Sequence, residues 1–412
     1  MNKEQQCDRT TLKEDGPSSR GGAFPRNVVA RGGEEGRWGP CGCQASLSGT
    51  LRLAFLALIL TFLLTACSFP GIVTTNTQLP NVTTIPQSQP LPPIRFPQDE
   101  AAHNDLAEWW YYTGHINAVA PGGITHHYGF ELVFFQALRD DLPPVYAAHF
   151  AISDITRGQF HFDQRRLIEP DAKIPNGTST QGIDVHIGDW SIRGVNGHDH
   201  LAAEMPNYNL HIDPISLKPP TLHNGNGLIK YGVAGFSYYY SRTRMALSGT
   251  LIDHGQPLQV TGEAWMDHQW GNFLAVGSGG WDWFSIQLNN NTEMMLYLIR
   301  DASGKIISTY VSYIGPNASE TLLPASALHI TVLNHWTSLV TGATYPSGWH
   351  LDINDPRLHT SLTLTPELLD QELVTYQSTG TSYWEGAVSI HGQSAGAPIN
   401  GEGYVELTGY AH

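Results

Sequence analysis

Downstream of about residue 98 the apolar positions come in short bursts. YGFELVFFQAL (Tyr128–Leu138) and EMMLYLI (Glu293–Ile299) are dense in aromatic and aliphatic residues, and turn formers such as Pro121-Gly122-Gly123, Asn289-Asn290-Asn291 and Ser303-Gly304 separate such runs. Bursts of that length between Gly, Pro and Asn predict strands joined by hairpins. Within GEAWMDHQWG (Gly262–Gly271), strand alternation puts Ala264, Met266, His268 and Trp270 on one face. That face is apolar except for the histidine, so His268 is expected to project into a greasy interior. Upstream the pattern changes. Leu53–Leu64 is apolar apart from Thr61, too short for a span of about 20 residues, and reads as a signal-peptide core. Ser68–Gln98 carries Pro70, Pro80, Pro86, Pro90, Pro92, Pro93 and Pro97 among Thr, Gln and Asn, the composition of an extended tether.

The strand pattern repeats. EWWYYTGHINAV (Glu108–Val119), a turn and YGFELVFFQALRD parallel GWDWFSIQL, a turn and TEMMLYLIRD (Thr292–Asp301). ALSGTLIDHGQPLQVTGEAWMDHQW (Ala246–Trp270) likewise parallels YWEGAVSIHGQSAGAPINGEGYVELTGY (Tyr383–Tyr410), with Gly262-Glu263 opposite Gly401-Glu402 and Trp265 opposite Tyr404. The expected architecture is all-β: two tandem antiparallel barrels, 99–272 and 273–412, behind an N-terminal extension and leader (1–66) and a tether (67–98).

Composition sharpens the picture. The chain has 412 residues, only 14% of them charged, with 42 Gly and 26 Pro. Met1–Ala66 holds 8 Lys/Arg and 6 Asp/Glu; subtracting these from totals of 22 and 37 leaves 14 and 31, a body near −17. Such a surface repels phosphate backbones and argues against a nucleic-acid partner. The apolar run ends in Leu64-Thr65-Ala66-Cys67, the form of a bacterial lipobox, so Cys67 is expected to be lipidated and to hold an extracytoplasmic lipoprotein at the membrane. Cys7, Cys41 and Cys43 lie upstream of it, which leaves the mature body without a disulfide or a cysteine-based zinc site. A leader this far into the chain also points to a start upstream of the true one.

The repeat separates scaffold from candidate chemistry. Asp267 corresponds to Glu406 and therefore reads in part as architecture, whereas His268 corresponds to Leu407, a change that folding alone does not require. Asp282 stands between Trp281 and Trp283, and Glu108 precedes Trp109 and Trp110. A carboxyl among indoles loses solvation of its charged form, and its pKa rises toward that of a general acid. His198-Asp199-His200 with His211 and Asp213 has metal-like spacing but reads as a solvated hairpin tip. The chain has no HExxH or P-loop pattern.

In this order AEWWYYTGHI, YGFELVFF, AHFAISD, KPPTLHNGNG, YYYSRTRMALSGTL, AWMDHQWG and WDWFSIQL resemble the carotenoid 1,2-hydratase (hydroxyneurosporene synthase) family and its AttH-like relatives. The resemblance runs from about residue 99 to the end. It implies a tandem lipocalin-like fold with a ligand cavity in or between the barrels, and hydration of a terminal isoprenoid double bond. The family's His-x-Trp pair matches His268 and Trp270, and its downstream aspartate is assigned to Asp282, although Gly280 stands where the hydratases carry Tyr. The reading that follows makes Asp282 or Asp267 the acid, His268 the group that orients or deprotonates water, and Trp270 and Trp281 the cation-stabilising rings. Trp283, Glu108, Trp109 and Tyr111 complete the pocket for an apolar, isoprenoid or lipid-like ligand. This chemistry requires no cofactor and no metal. Two other readings stay open: a non-catalytic carrier of apolar ligands, and a secreted ester hydrolase.

Overall fold

The computed structural model describes residues 91–139, 142–168, 182–231, 235–273 and 279–411. The N-terminal extension, the apolar run at 53–64, Cys67 and the tether up to residue 90 lie outside them. Among the described residues no helix is long and apolar enough to cross a membrane.

Among the described residues the strands form two antiparallel sheets, as the hairpin signals predict. The first comprises β1 (Ala107–Val119), β2 (Thr125–Arg139), β3 (Leu142–Asp154), β4 (Gln159–Ile168), β5 (Ile183–Ile187), β6 (Trp190–Val195), β7 (His198–Met205), β8 (Tyr208–Ser216), β9 (Thr221–Leu222), β10 (Leu228–Lys230), β11 (Phe236–Asp253) and β12 (Gln256–Gly271). The second comprises β13 (Trp281–Leu288), β14 (Thr292–Arg300), β15 (Ile306–Ile314), β16 (Glu320–Leu323), β17 (Leu328–Thr337), β18 (Thr344–Asp355), β19 (Leu358–Pro366), β20 (Glu372–Val374), β21 (Ser382–Ser394) and β22 (Ala397–Thr408). Strand order is β4-β3-β2-β1-β12-β11-β8-β7-β6-β5 in one and β16-β15-β14-β13-β22-β21-β19-β18-β17 in the other. Each half thus runs outward through four strands and returns to pair its last strand with its first. In the first sheet the end strands β4 and β5 touch, nearly closing a lipocalin-like barrel.

Alternation sorts the side chains into three cores. Trp110, Tyr112, Ile116, Met266 and Trp270 fill the first barrel, and Phe284, Ile286, Leu288, Val405 and Leu407 the second. Between them lies a third cluster, built from the outward faces of β1, β12, β13 and β22: Tyr111, Trp265, Trp281, Trp283 and Tyr404. The barrels meet along this seam. Close approach is possible because Gly129 lacks a side chain, a Cβ there falling 2.7 Å from the Ala387 Cβ. A register shift between Arg242 and Met245 of β11 turns Arg244 across the seam onto Glu293, 2.7 Å away.

The end of the expected tether is packed. Leu91, Ile94 and Phe96 lie against the first core, and the Tyr238 hydroxyl donates to the Pro92 carbonyl at 2.7 Å. The proline content disguises three apolar side chains at a spacing suited to covering the barrel mouth.

Candidate functional site

Strand β12 feeds two separate constellations, because its neighbours in sequence face opposite ways. Asp267 and Gln269 face the seam, while His268 and Trp270 face into the first barrel.

The inward constellation centres on Glu108, which is fully buried. Its Oε1 accepts from His103 Nδ1 at 2.7 Å and His268 Nε2 at 2.8 Å. Its Oε2 accepts from the His103 backbone N–H at 2.7 Å and Gln136 Nε2 at 3.2 Å. His103 stacks on Trp270, with centroids 4.2 Å apart and planes 3° from parallel, and His268 stacks on Trp110 at 4.9 Å. Burial presses His268 toward its neutral form, with a pKa lowered to about 4 against the opposing pull of Glu108. A neutral ring donating from Nε2 leaves Nδ1 to accept from the Tyr240 hydroxyl, 3.3 Å away. For His103 burial works the same way, but the neighbouring Glu108 carboxylate prevails and raises its pKa to about 9. Burial alone would raise the Glu108 carboxyl; charge and hydrogen bonds from His103 and His268 hold it below the usual range instead. One ligand atom from each of His103, Glu108 and His268 lies within 4.8 Å of the others, a spacing a metal ion could use. Each Glu108 oxygen already has two donors, whereas the buried His103 Nε2 has no hydrogen-bond partner and lies 3.8 Å from Asp99 Oδ1.

The outward constellation is a cleft of about 40 Å³ lined by Trp109, Tyr111, Tyr239, Asp267, Gln269, Trp281, Trp283, Tyr297 and Glu406. It receives one carboxyl from each barrel. Asp267 accepts from the Tyr239 hydroxyl at 2.5 Å, from Trp265 Nε1 at 2.7 Å and from the Ser241 hydroxyl. Glu406 is half-buried and accepts from Trp281 Nε1 at 2.8 Å. Burial raises both, Glu406 to about 7. Deeper in the seam the Tyr111 hydroxyl donates to Glu385 at 2.6 Å and the Tyr383 hydroxyl to Glu131 at 2.8 Å. Each of these acids keeps one buried oxygen without a hydrogen-bond partner. Burial, reinforced by the other acids, lifts Glu131 to about 8 and Glu385 well above the carboxylate range. Glu131, Glu385 and Glu406 thus retain protons near neutrality beside aromatic rings, the setting of a general acid.

The expected site residues therefore divide among three places. Asp267, Trp281, Trp283, Trp109 and Tyr111 line the seam cleft. His268, Trp270 and Glu108 meet inside the first barrel. Asp282 faces the second barrel, where Tyr410 donates to it at 3.0 Å and Arg300 lies 3.2 Å away; burial raises its pKa against the pull of Arg300. His268 and Asp282 do not converge on one substrate, since each points away from the seam into its own barrel. Sequence reading passed over His103, Tyr239, Gln269, Tyr297 and Glu406. Glu406 carries a visible signal in the sequence, its match to Asp267, which by itself reads as scaffold. His198 and His200 are exposed on β7 just after the Asn196-Gly197 turn, as the solvated-hairpin reading expects, while Asp199 between them is buried, accepting from the Tyr112 hydroxyl at 2.9 Å.

The AttH-like family profile matches residues 87–410. An AttH-designated protein from Nitrosomonas europaea superposes with a TM-score of 0.68 at 30% identity, covering 80% of this chain and 100% of that one. Kievitone hydratase from Nectria haematococca superposes with a TM-score of 0.61 at 19% identity, covering 82% of this chain and 98% of that one, a likeness of fold. Comparison with curated protein sequences yields no match.

Proposed function

The chain belongs to the AttH-like family, and on that premise we propose that it adds water across, or removes it from, a carbon–carbon double bond of an apolar, isoprenoid-like substrate at the seam. The observation that carries this reading is the pair Glu406 and Asp267, one carboxyl from each barrel, lining a single aromatic cleft. Glu406, with a pKa of about 7 and one indole donor, gives its proton to one alkene carbon. The cation that develops on the other carbon lies among Trp109, Trp281 and Trp283, each well-placed and desolvated ring contributing about 2 kcal/mol. Water attacks that carbon and passes its spare proton to Asp267, whose three donors suit the ionised form. Return of the proton to Glu406 completes the cycle, with water as the only co-reactant. General acid catalysis of this kind contributes roughly 10²–10⁴-fold.

The cleft holds water-sized guests as it stands, so a prenyl chain enters by displacing ring edges, of which Trp109 and Tyr297 are half-buried. Lipid attachment at Cys67 places the protein on the outer side of a bacterial membrane, where apolar substrates partition; the lipobox supports this part of the proposal. The test is incubation of the purified full chain with isoprenoid alkenes and with esters, followed by mass analysis. Gain or loss of one water, abolished in Glu406→Gln, is expected. Recovery of bound but unchanged alkene overturns the reading in favour of a carrier, and release of free acid in favour of an ester hydrolase.

A further inference from the structure

Behind Asp267 runs a chain of side chains that the cleft chemistry does not use. His223, in the 3₁₀ turn His223–Gly225 of the segment between β9 and β10, is fully buried. Its Nδ1 donates to Glu320 Oε1 at 3.0 Å, and its Nε2 lies 2.6 Å from the Ser241 hydroxyl. That hydroxyl in turn donates to Asp267. The arrangement has the order of a hydrolase triad, acid to histidine to serine, but Ser241 is wholly covered and its proton is committed to a carboxylate. It cannot serve as a nucleophile toward a substrate in the cleft. A hydroxyl between an imidazole and a carboxyl does suit proton transfer, because it can give one proton while taking another.

We infer that Glu320, His223 and Ser241 form a proton relay that drains and refills Asp267 during turnover at the seam. The inference rests on the cleft reading above and deepens it. When Asp267 takes the proton of the attacking water it no longer needs the Ser241 hydroxyl as a donor; that hydroxyl turns to His223 and passes its proton to Nε2 as Asp267 passes one to Oγ. His223 becomes a cation whose other nitrogen faces Glu320, and no bond to carbon or oxidation is involved. Glu320 is built for this. The Tyr310 and Ser312 hydroxyls donate to its Oε1 at 2.8 Å each, and the Gly225 N–H to its Oε2 at 3.1 Å. Burial would raise its pKa, but these donors together with His223 hold it below the usual value. The ionisable groups that face His223 are Glu320 from β16, Asp267 from β12, Tyr239 from β11 (centroids 4.4 Å apart) and Tyr310 from β15 (5.9 Å). At its far end the relay reaches the surface, where the exposed Asn224 donates its backbone N–H to Tyr310.

His223 and Ser241 are positioning residues, since neither touches the cleft. In the full chain, with whichever alkene the panel above shows to be hydrated, Ser241→Ala is expected to lower kcat about 100-fold with KM changed less than about twofold, and Ser241→Thr to restore it. His223→Gln is expected to lower kcat similarly and to change its pH profile, because Asp267 then has no imidazole to discharge to. Unchanged kcat and pH profile in Ser241→Ala and His223→Gln, with substrate still hydrated, overturns the relay and leaves the seam reaction standing. A second arm needs no substrate. In ¹⁵N-histidine NMR at one fixed pH, Asp267→Asn is expected to displace the His223 Nε2 resonance; Ser241→Ala should cut that displacement by about half or more, and Ser241→Thr should preserve it. Coupling without turnover of any alkene removes the proposed reaction but not the relay, and a displacement indifferent to Ser241 removes the relay.

Discussion

Replacing Glu131 by glutamine should make the protein more resistant to unfolding at alkaline pH while changing little at pH 5. Glu131 is 1% exposed. Its one donor is the neutral Tyr383 hydroxyl, itself bonded to His149, whose pKa burial lowers to about 3. No cation offsets its charge, so the folded carboxyl holds its proton up to about pH 8, against 4.5 for the free group. The sign follows from proton uptake. Between those values the folded state binds a proton that the unfolded state has released, so stability is full below pH 4.5 and declines as pH rises to about 8. At 1.36 kcal/mol per pH unit the gap amounts to roughly 5 kcal/mol for a group titrating alone. Glutamine keeps the carbonyl that Tyr383 needs and cannot ionise. It also relieves Glu385, whose carboxyl the Glu131 charge pushes up. Urea unfolding of both proteins at pH 5, 6, 7 and 8 should give curves with equal slopes whose midpoints diverge as pH rises, the variant ahead by roughly 3–5 kcal/mol at pH 8. Parallel pH dependence would show that Glu131 is ionised in the folded seam, and the account of the protonated carboxyls would fall with it.

Four further outcomes are expected. Glu108→Ala removes the shared acceptor of His103 and His268 and should cost roughly 3–5 kcal/mol, read by urea unfolding; histidine NMR of the parent protein should find His268 neutral down to about pH 4 and His103 charged up to about pH 9. Gly129→Ala drives a methyl group against the Tyr404 hydroxyl and Ala387 and should cost about 1–3 kcal/mol, seen as a lower melting temperature. Asp282→Asn weakens the contact with Arg300 in the second barrel and should leave turnover within about twofold while Glu406→Gln abolishes it; equal loss in the two variants would return the acid's role to Asp282.

Much of this molecule is local, and what is local can be read along the chain. Strand alternation put Ala264, Met266, His268 and Trp270 on one apolar face, and the first core contains that face. The internal repeat anticipated two sheets with the same strand path. The family resemblance carried from about residue 99 to the end, and the profile match spans nearly the same stretch. What alternation cannot say is which environment each face of a strand meets. Trp281 and Trp283 share a sequence neighbourhood with Asp282, yet the indoles enter the seam and the carboxyl the second barrel, a split that arises only once two barrels pack.

The acids needed tertiary structure for the same reason. Glu131, Glu385 and Glu406 each stand in an apolar, aromatic stretch of sequence, but alternation along a strand does not say that the face carrying the acid is covered. Their protons are held by desolvation, and desolvation is supplied by strands from the opposite half of the chain. His103 was invisible too, since its partners Glu108 and His268 are brought together by pairing of β1 with β12, across a separation that no spacing motif encodes. By itself the sequence determined the strands, their faces and the doubling of the barrel, all of which depend on periodicity within a few residues. Only the packing of one barrel on the other decided where the carboxyls lose water, and with it where acid–base chemistry is available.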